Sequence, residues 1–425
     1  MSHSEAVADI VIVGAGLVGV PLAQVLAVQG WQVILLDAAG PMPASSTTTT
    51  ASPSSEGLSE DVSKDVSKGA QALHTDAPSY ELRQRCTAVS LGTRRWFERQ
   101  GLWSAIADDA AAIRQVVVSH KGYFGTTRLQ ASEMGVDALG HVLNNRHLVD
   151  SLQPLLANAG VEQRTAARVV AVRQEDDCVQ VQLHNGSSIK TRLLIAADGV
   201  GSVVRESVGI STTQVDYQQA AVLSMLKLAD AHNDVAHERF TDSGPLALLP
   251  RKGPYMNVVD CIEPQEQAAM NELDDAAYLA RLQQRFGYRL GRFEAVGPRL
   301  VLPLVRIEAT AQTASRTVLL GNAMRLLHPV GGQGYNLAMR DVEVLLQLLE
   351  RERGADPGDA GVLTEFAAAR APDQQRVVRF TDTLARSFRG QAALPGHVRS
   401  AALLGLDTLT PLRRRFARQS MGLSS

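Results

Sequence analysis

The sequence of 425 residues has little cysteine and no excess of charge of either sign. Its three cysteines, Cys86, Cys178 and Cys261, stand far apart without a CxxC pair, which predicts no disulfide framework and fits a reducing cytosol. We interpret each as a small buried side chain, with a lone nucleophile as the alternative. The 10 histidines form no HxxxH or HExxH pattern, so no metal is expected. A formal net charge of -2 gives no global reason to expect nucleic acid as a partner.

Long uninterrupted hydrophobic runs are also missing. Residues 10–36 are apolar, but glycines, glutamines and Pro21 break them, so we interpret them as strand, turn, helix and strand. The N-terminus is acidic before this stretch, unlike a signal peptide. We therefore expect a cytoplasmic protein, with any membrane contact peripheral and at the inner face of the membrane. The length suffices for two or three domains.

Residues 40–79 differ in composition from the rest of the chain. They are rich in Ser, Thr, Pro and Ala and contain the tandem repeat DVSKDVSK. Such a segment buries too little apolar surface to offset the entropy of ordering it. We predict a mobile insertion without a function of its own.

The order of predicted elements indicates an α/β fold. Stretches that are apolar almost throughout predict buried strands at 9–14, 32–37, 192–198 and 317–322. Less uniform stretches predict strands of more exposed sheets at 116–120, 178–184 and 221–228. Helices are predicted from about 335 to 353 and from 362 to the end. Because the buried strands are far apart in sequence, a dinucleotide domain built from them must be interrupted by a second, sheet-containing part.

A nucleotide fingerprint opens the chain. DIVIVGAGLVGVPLAQVLAVQGWQVILLD, residues 9–37, matches the pattern strand, GxGxxG, helix, strand, acid. Gly14 permits the tight turn, Gly16 lets the backbone approach a pyrophosphate, and Gly19 lets the helix pack on the strand. The helix N-terminus offers free N–H groups to phosphates, and Asp37 can accept hydrogen bonds from ribose hydroxyls.

The fingerprint alone does not separate NAD from FAD. AADGVGSVVRESVGI, residues 196–210, ends a second buried strand with Asp198 and Gly199, and LLGN ends another with Asn322. A flavin is longer than a nicotinamide nucleotide, and further strand ends carrying polar groups suit it. These stretches favour FAD.

Taken with GNAMRLLHPVGGQGYNLAMRDV, residues 321–342, the chain resembles the class A flavoprotein aromatic hydroxylases of the para-hydroxybenzoate hydroxylase fold. Within them it is most similar to the ubiquinone-biosynthesis hydroxylases, and there to the 2-polyprenyl-6-methoxyphenol branch. Three further stretches, 85–103, 238–250 and 286–291, share that similarity. The resemblance implies a Rossmann-like FAD-binding domain interleaved with a smaller substrate domain. We assign 1–85, 146–210 and 306–360 to the first, 86–145 and 211–305 to the second, and 361–425 to a C-terminal helical region.

The resemblance also implies roles for individual residues. Arg85 and Arg146 match positions where the family places flavin-contacting arginines, with a surface ion pair as the alternative for each. Asp198 and Gly199 match the second flavin motif. Asn322 stands where most relatives have Asp and would bond the ribityl chain or the phosphate end, since its amide oxygen can still accept a hydrogen bond from a hydroxyl group. The motif after it implies further cofactor contacts at Gly332, Gln333, Gly334 and Asn336.

The glycines before the third motif's helix have a physical explanation. Reduced flavin carries negative charge over N1 and the C2 carbonyl, and free N–H groups at a helix start stabilise an anion. Glycines such as Gly332 let the backbone lie against the ring, and Pro329 has no N–H to leave unsatisfied. The helix, which should begin near Gly334, is apolar on most sides and is expected to be buried. His328 could face the reacting ring or deprotonate a phenol, and a hydrogen-bonded structural histidine is the preferred alternative.

The implied chemistry is hydroxylation of a polyprenyl phenol in ubiquinone biosynthesis through a flavin C4a-hydroperoxide. Dioxygen would be the co-substrate and NADPH, NADH or a redox protein the electron donor. Other ubiquinone-biosynthesis proteins are possible partners. A flavin reductase or halogenase, an FAD-stabilised scaffold and a plain NAD dehydrogenase stay open as alternatives. The C-terminal residues 400–423 mix leucines with four arginines, which suits peripheral membrane contact or docking on the body or a partner.

Overall fold

The structure is a computed structural model that describes residues 7–39, 85–387 and 393–423. The predicted insertion at 40–79 lies outside the described residues. The strands are β1 (Ala8–Val13), β2 (Val33–Leu36), β3 (Cys86–Ser90), β4 (Ala111–Ile113), β5 (Gln115–His120), β6 (Thr126–Gln130), β7 (Gly140–Asn144), β8 (Glu162–Arg164), β9 (Val169–Gln174), β10 (Val179–Leu183), β11 (Ser188–Ala196), β12 (Thr212–Leu228), β13 (Val235–Thr241), β14 (Gly244–Pro250), β15 (Tyr255–Ile262), β16 (Phe293–Val296), β17 (Leu300–Ala309), β18 (Thr313–Ala314), β19 (Thr317–Leu319) and β20 (Arg325–Leu326). The α-helices are α1 (Gly19–Val28), α2 (Leu91–Arg99), α3 (Trp103–Ile106), α4 (Asn145–Asn158), α5 (Val203–Ser207), α6 (Gln267–Glu272), α7 (Asp275–Phe286), α8 (Gln333–Arg351), α9 (Ala360–Ser387), α10 (Ala393–Thr408) and α11 (Thr410–Ser420).

The first sheet joins the four strands predicted to be buried. They lie side by side and parallel in the order β19, β11, β1, β2, although they come from both ends of the chain. Their apolar side chains are buried on both faces, as parallel strands between helices require. The predicted strand at 178–184 is β10, and it extends this same sheet by pairing antiparallel with β11. It therefore does not belong to a separate exposed sheet.

The second sheet has nine strands and packs beside the first. Its order is β20, β17, β12, β15, β14, β13, β5, β6, with β16 joined to β12. The strands predicted at 116–120 and 221–228 are β5 and part of β12. A small third sheet, β3-β7-β4, contacts α8 through β3. These two sheets leave a concave space against the carboxyl ends of the first.

Helix α8 is the buried central helix that the sequence predicts. It begins at Gln333, one residue before the expected start, and its apolar residues pack into the core beneath the first sheet. On its other side, Asp341 is buried and accepts hydrogen bonds from Arg370 Nε at 2.6 Å and Gln374 Nε2 at 2.9 Å. Arg325 Nη1 lies 3.6 Å from the same carboxylate. This ion network fixes α8 against α9 and β20.

The C-terminal helices are docked on the body of the protein. Thr127 on β6 donates to the Leu403 carbonyl at 2.6 Å, and Arg413 forms an ion pair with Glu133 at 3.1 Å. The docking predicted as one alternative is therefore present. In the part of the chain that the structure describes, no helix combines the length and the apolar composition that crossing a membrane requires.

Candidate active site

A cavity of about 1140 Å³ runs between the first sheet and the second. This is larger than the roughly 300–1,000 Å³ typical of small-molecule pockets. Three loops that follow strands of the first sheet line one side of it, and the second sheet lines the other. The predicted site residues on its wall are Gly14, Gly16, Asp37, Arg85, Arg146, Asp198, Gly199, Asn322, His328, Pro329, Gly332, Gln333 and Gly334. The sequence motifs are thus brought together at one place.

The loop after β1 is shaped for a close backbone approach. Gly14 has φ +107°, and a Cβ there would lie 2.4 Å from the Ala197 carbonyl oxygen. A Cβ at Gly19, which does not line the cavity, would lie 1.9 Å from the Gly14 oxygen. A Cβ at Gly16, by contrast, would meet nothing within 4 Å and would occupy the cavity. The loop leads into α1, whose N-terminus has no side-chain cap, so its free N–H groups suit an anion.

Asp37 follows β2 and lies at the same end of the cavity. Its Oδ1 accepts the Ala39 N–H at 3.0 Å, and burial raises the pKa of its carboxyl. Three residues beside it, Gln163, Arg164 and Thr165, also line the cavity, and no sequence motif predicted them. They follow or end β8, whose pairing with β2 is visible only in the structure.

The second and third loops are tied together by a buried arginine. Arg205 donates to the carbonyls of Val200 at 2.8 Å and Ala323 at 2.9 Å. It thereby holds the loop carrying Asp198 next to the turn carrying Asn322. Burial raises the pKa of Asp198, and its Oδ1 has no hydrogen-bond partner among the described residues. A buried carboxyl oxygen of this kind suits a hydroxyl donor from a ligand.

The N-terminus of α8 also opens onto the cavity. Gly332 precedes it with φ +60°, and a Cβ there would lie 3.2 Å from the Ala88 Cβ. No side chain caps the helix, and a Cβ at Gly334 would meet nothing within 4 Å. Two uncapped helix N-termini, those of α1 and α8, therefore face one space, and both attract negative charge.

Asn336 is the one predicted cofactor contact of the third motif that lies off the cavity wall. Its Oδ1 accepts from the Ser90 N–H at 2.8 Å and the Thr93 hydroxyl at 2.9 Å. Its Nδ2 donates to the carbonyls of Ala88 and Gly332, both at 2.8 Å. With both amide atoms used within the protein, the Asn336 side chain holds Gly332 against β3, and its contact with the cofactor stays a prediction.

The contacts of His328 fit the alternative interpretation, a hydrogen-bonded structural histidine. Its Nδ1 accepts the Val330 N–H at 3.2 Å, so the proton of the neutral ring lies on Nε2. Burial lowers its pKa to about 4, and its ring packs edge-on against Tyr217 at 4.9 Å. Such a ring has no free lone pair with which to deprotonate a phenol. It supports the turn that Pro329 begins.

The two predicted arginines are neighbours at the N-terminus of α4. The Asn145 N–H donates to the Arg85 carbonyl at 3.0 Å, which sets Arg85 beside Arg146. Arg146 Nε forms an ion pair with Asp150 at 3.0 Å, and its Nη1 is buried without a hydrogen-bond partner in the described ranges. Arg146 therefore combines the ion-pair alternative with a donor still available for a ligand.

The cavity wall formed by the second sheet is apolar apart from a few polar groups. None of the predicted site residues lies on it. Its apolar members include Ala236, Pro245, Ala247, Leu249 and Val259. Among them stands one carboxylate, that of Glu238 on β13, whose pKa burial raises to about 7. Cys261 lies on this wall and Cys86 lies near Arg85. Burial raises the pKa of both thiols, that of Cys86 to about 11, so neither is a ready nucleophile.

Comparison with known proteins gives the family. Residues 75–381 match the family described as FAD binding domain. The chain is 31% identical over 423 residues to the ubiquinone hydroxylase UbiL of Rhodospirillum rubrum, covering 99% of this chain and 90% of that protein. It is 25% identical to the 3-demethoxyubiquinol 3-hydroxylase of Escherichia coli, over 98% of each. The structure of p-nitrophenol 4-monooxygenase PnpA from Pseudomonas putida superposes with a TM-score of 0.74 at 19% identity, over 98% of each chain.

The chain therefore belongs to the FAD binding domain family, within the group that contains the ubiquinone-biosynthesis hydroxylases. It is an FAD-dependent aromatic monooxygenase. The resemblance read from the three motifs, the α/β fold class and FAD as the cofactor are confirmed.

Proposed function

We propose that this enzyme hydroxylates the aromatic ring of a polyprenyl phenol in ubiquinone biosynthesis. The observation that carries the proposal is the composition of the cavity of about 1140 Å³. Two uncapped helix N-termini and the carboxyls of Asp37 and Asp198 lie on one side of it, and an apolar sheet face lies on the other. A flavin nucleotide suits the first side and an apolar phenol the second. The names of the relatives from R. rubrum and E. coli support this substrate class.

The polar groups along the cavity suit FAD in one orientation, with its adenosine end near β2 and its flavin ring near α8. Gly16 and the N-terminus of α1 would hold the pyrophosphate, and Asp37 would accept hydrogen bonds from the adenosine ribose. Asp198 and Asn322, held together by Arg205, would bind the middle of the molecule. The N–H groups of Gln333 and Gly334 would then meet the edge of the ring where negative charge collects on reduction.

The chain's own residues supply position and environment for the reaction. When bound, FAD contributes the redox chemistry that activates dioxygen, which no side chain in the cavity can perform. The apolar wall around Ala247, Leu249 and Val259 excludes water and holds the phenol ring in a fixed place. The turn from Pro329 to Gly332, which lines the cavity, would separate the two ligands.

The test is turnover by the reconstituted protein. Purified protein incubated with FAD is expected to be yellow. After reduction, with NADPH, NADH or a chemical reductant, and exposure to labelled dioxygen, a short-chain prenyl phenol should gain one labelled hydroxyl group. Electron transfer to an alkene without oxygen would favour the reductase alternative. Rescue of a deletion strain by a variant that cannot react with oxygen would favour the scaffold.

A second proposal concerns where the enzyme obtains such a substrate. The C-terminal helices expose Leu409 and Leu412 beside the exposed arginines Arg414 and Arg415. Phe124, on the adjacent β5–β6 turn, is also exposed, by 66%. Apolar residues next to basic ones suit the surface of an anionic membrane. We propose peripheral contact through this surface.

Replacing Arg414 and Arg415 together by glutamine should weaken binding to vesicles that contain phosphatidylglycerol by roughly 30-fold. The reason is that each basic residue near an anionic surface contributes about 1 kcal/mol. Co-sedimentation with vesicles measures this, and phosphatidylcholine vesicles are the control. Equal sedimentation of wild type and variant with both vesicle types would contradict the proposal.

A further inference from the structure

Glu238 stands in the middle of the apolar wall. It lies on β13 opposite Ala247 of β14, which in turn lies opposite Val259 of β15. All three line the cavity, so they form one row across the same face of the second sheet. On its other side, Glu238 is paired with Val118 of β5. The residues flanking this carboxylate across the sheet are therefore apolar.

The Glu238 carboxylate has no ion pair or side-chain hydrogen bond among the described residues. Burial alone raises its pKa, to about 7, and no nearby charge contributes. Charged side chains in cavities usually have a partner, because an unpaired buried charge is costly. A carboxylate left alone in a cavity wall is consistent with a partner that arrives with a ligand.

The row also lies next to the turn that precedes α8. Val259 and Cys261 of β15 and Phe240 of β13 belong to one apolar cluster with Val330. Val330 follows Pro329, at the boundary between the proposed flavin and phenol sites. Glu238 thus lines the part of the cavity that would hold the phenol, beside the reacting edge of the ring system.

The titratable groups packed around Glu238 do not supply an alternative base. Burial holds the Cys261 thiol protonated by raising its pKa, and His328 is neutral with its Nδ1 occupied. Tyr217, in the same cluster, donates to Asp382 at 2.9 Å. The neighbour His237 also lines the cavity, but burial lowers its pKa to about 4, and the ring contacts made by its side chain lie toward α7, as strand alternation predicts for both neighbours of Glu238. There His237 meets Phe286, and Arg239 donates to the Arg285 carbonyl.

Resting on the proposed function, we propose that Glu238 is a catalytic residue that accepts the proton of the substrate's phenol hydroxyl. The O–H bond of the phenol breaks, its electron pair stays on the oxygen, and the proton forms a new bond to a carboxylate oxygen of Glu238. The resulting phenolate ring is richer in electrons and reacts more readily with an electrophilic oxygen. A base that titrates near neutral pH is well matched to this transfer.

Glu238→Gln keeps the size of the side chain and removes the base. It should retain FAD and lower kcat by about 100-fold, within the range of general-base effects. The wild-type kcat/KM should rise with pH through about 7, because the ionised form is the base, and this limb should be absent from Glu238→Gln. Glu238→Asp should keep this rise of kcat/KM with pH, at a reduced rate.

The matched control is Glu294→Gln, on edge strand β16, where an exposed carboxylate pairs with Lys227 at 2.8 Å.

An infrared titration of the FAD-loaded protein adds a readout that does not depend on turnover. A protonated-carboxyl band that titrates at about pH 7 should be present in wild type and absent in Glu238→Gln, whereas a band from Asp260, whose pKa burial raises to about 6, should persist in both proteins. A Glu238→Gln enzyme with wild-type kcat and an unchanged pH limb would overturn the inference and leave the proposed function intact. A wild-type enzyme that binds FAD but hydroxylates no phenol would overturn both. If Glu238→Gln fails to bind FAD, a wild-type spectrum without the titrating band overturns the inference.

Discussion

Gly16→Val abolishes retention of FAD and leaves the fold intact. The backbone at Gly16 lies outside the left-handed region, and a Cβ there meets no protein atom within 4 Å, so valine fits the ligand-free protein. The branched side chain would instead fill the space through which the pyrophosphate approaches the α1 N-terminus. Losing these contacts should weaken FAD binding by at least about 100-fold, or roughly 2.7 kcal/mol.

The neighbouring glycines show why Gly16 separates binding from folding. At Gly14 and Gly19 an added Cβ would collide with backbone oxygens at 2.4 and 1.9 Å, so their replacement should disturb the strand and helix themselves. Gly405→Val is the matched control, because that glycine also has open space around its Cβ and lies in α10, away from the cavity. Flavin absorbance after gel filtration measures retention, and circular dichroism measures folding. Full flavin occupancy in Gly16→Val would refute the nucleotide assignment.

Asp341→Ala lowers the free energy of unfolding by about 3–5 kcal/mol. Removing one partner of a buried ion pair leaves an uncompensated charge, which costs about that much. Here two guanidinium groups lose a shared partner, since Arg370 and Arg325 both face Asp341 and all three side chains are no more than 7% exposed. Arg370 keeps Asp373 at 2.7 Å and Arg325 keeps Glu308 at 3.8 Å, so the loss should fall at the lower end of this range. Burial lowers the pKa of Arg325, and the carboxylates of Asp341 and Glu308 oppose that effect.

The same pair of helices provides the control for this prediction. Arg351 on α8 and Glu365 on α9 form an ion pair at 2.5 Å, but both side chains are about half exposed. Solvent screens such a pair, so Glu365→Ala should leave stability almost unchanged. Urea unfolding of the two variants measures the difference. Similar unfolding midpoints for Asp341→Ala and Glu365→Ala would show that burial of the network does not stabilise the α8–α9 contact.

The sequence predicted those parts of the site whose conformation depends only on a few consecutive residues. The glycine loop before α1, the acid after β2 and the glycines before α8 each depend on a few consecutive residues. Their required backbone conformations restrict the residue type at each position. The buried strands were predictable for a similar reason, because strands covered on both faces are apolar throughout.

Other features depend on contacts between distant parts of the chain. The family resemblance implied a cofactor contact for Asn336, and the structure shows that its side-chain amide bonds to Ser90, 246 residues earlier. Glu238 lies in a strand with three successive polar residues, and its place on the cavity wall depends on the pairing of β13 with β5 and β14, which only the structure shows. The sheet that β10 joins was equally undetermined, since alternation predicts a strand but not its neighbour.

The most direct measurement is a crystal structure of the FAD-loaded enzyme. We expect the pyrophosphate to lie at Gly16. The N1 and C2 edge of the flavin should lie within hydrogen-bonding distance of the N–H groups of Gln333 or Gly334. A flavin whose ring lies away from the start of α8, or a nucleotide bound outside this cavity, would contradict this expectation.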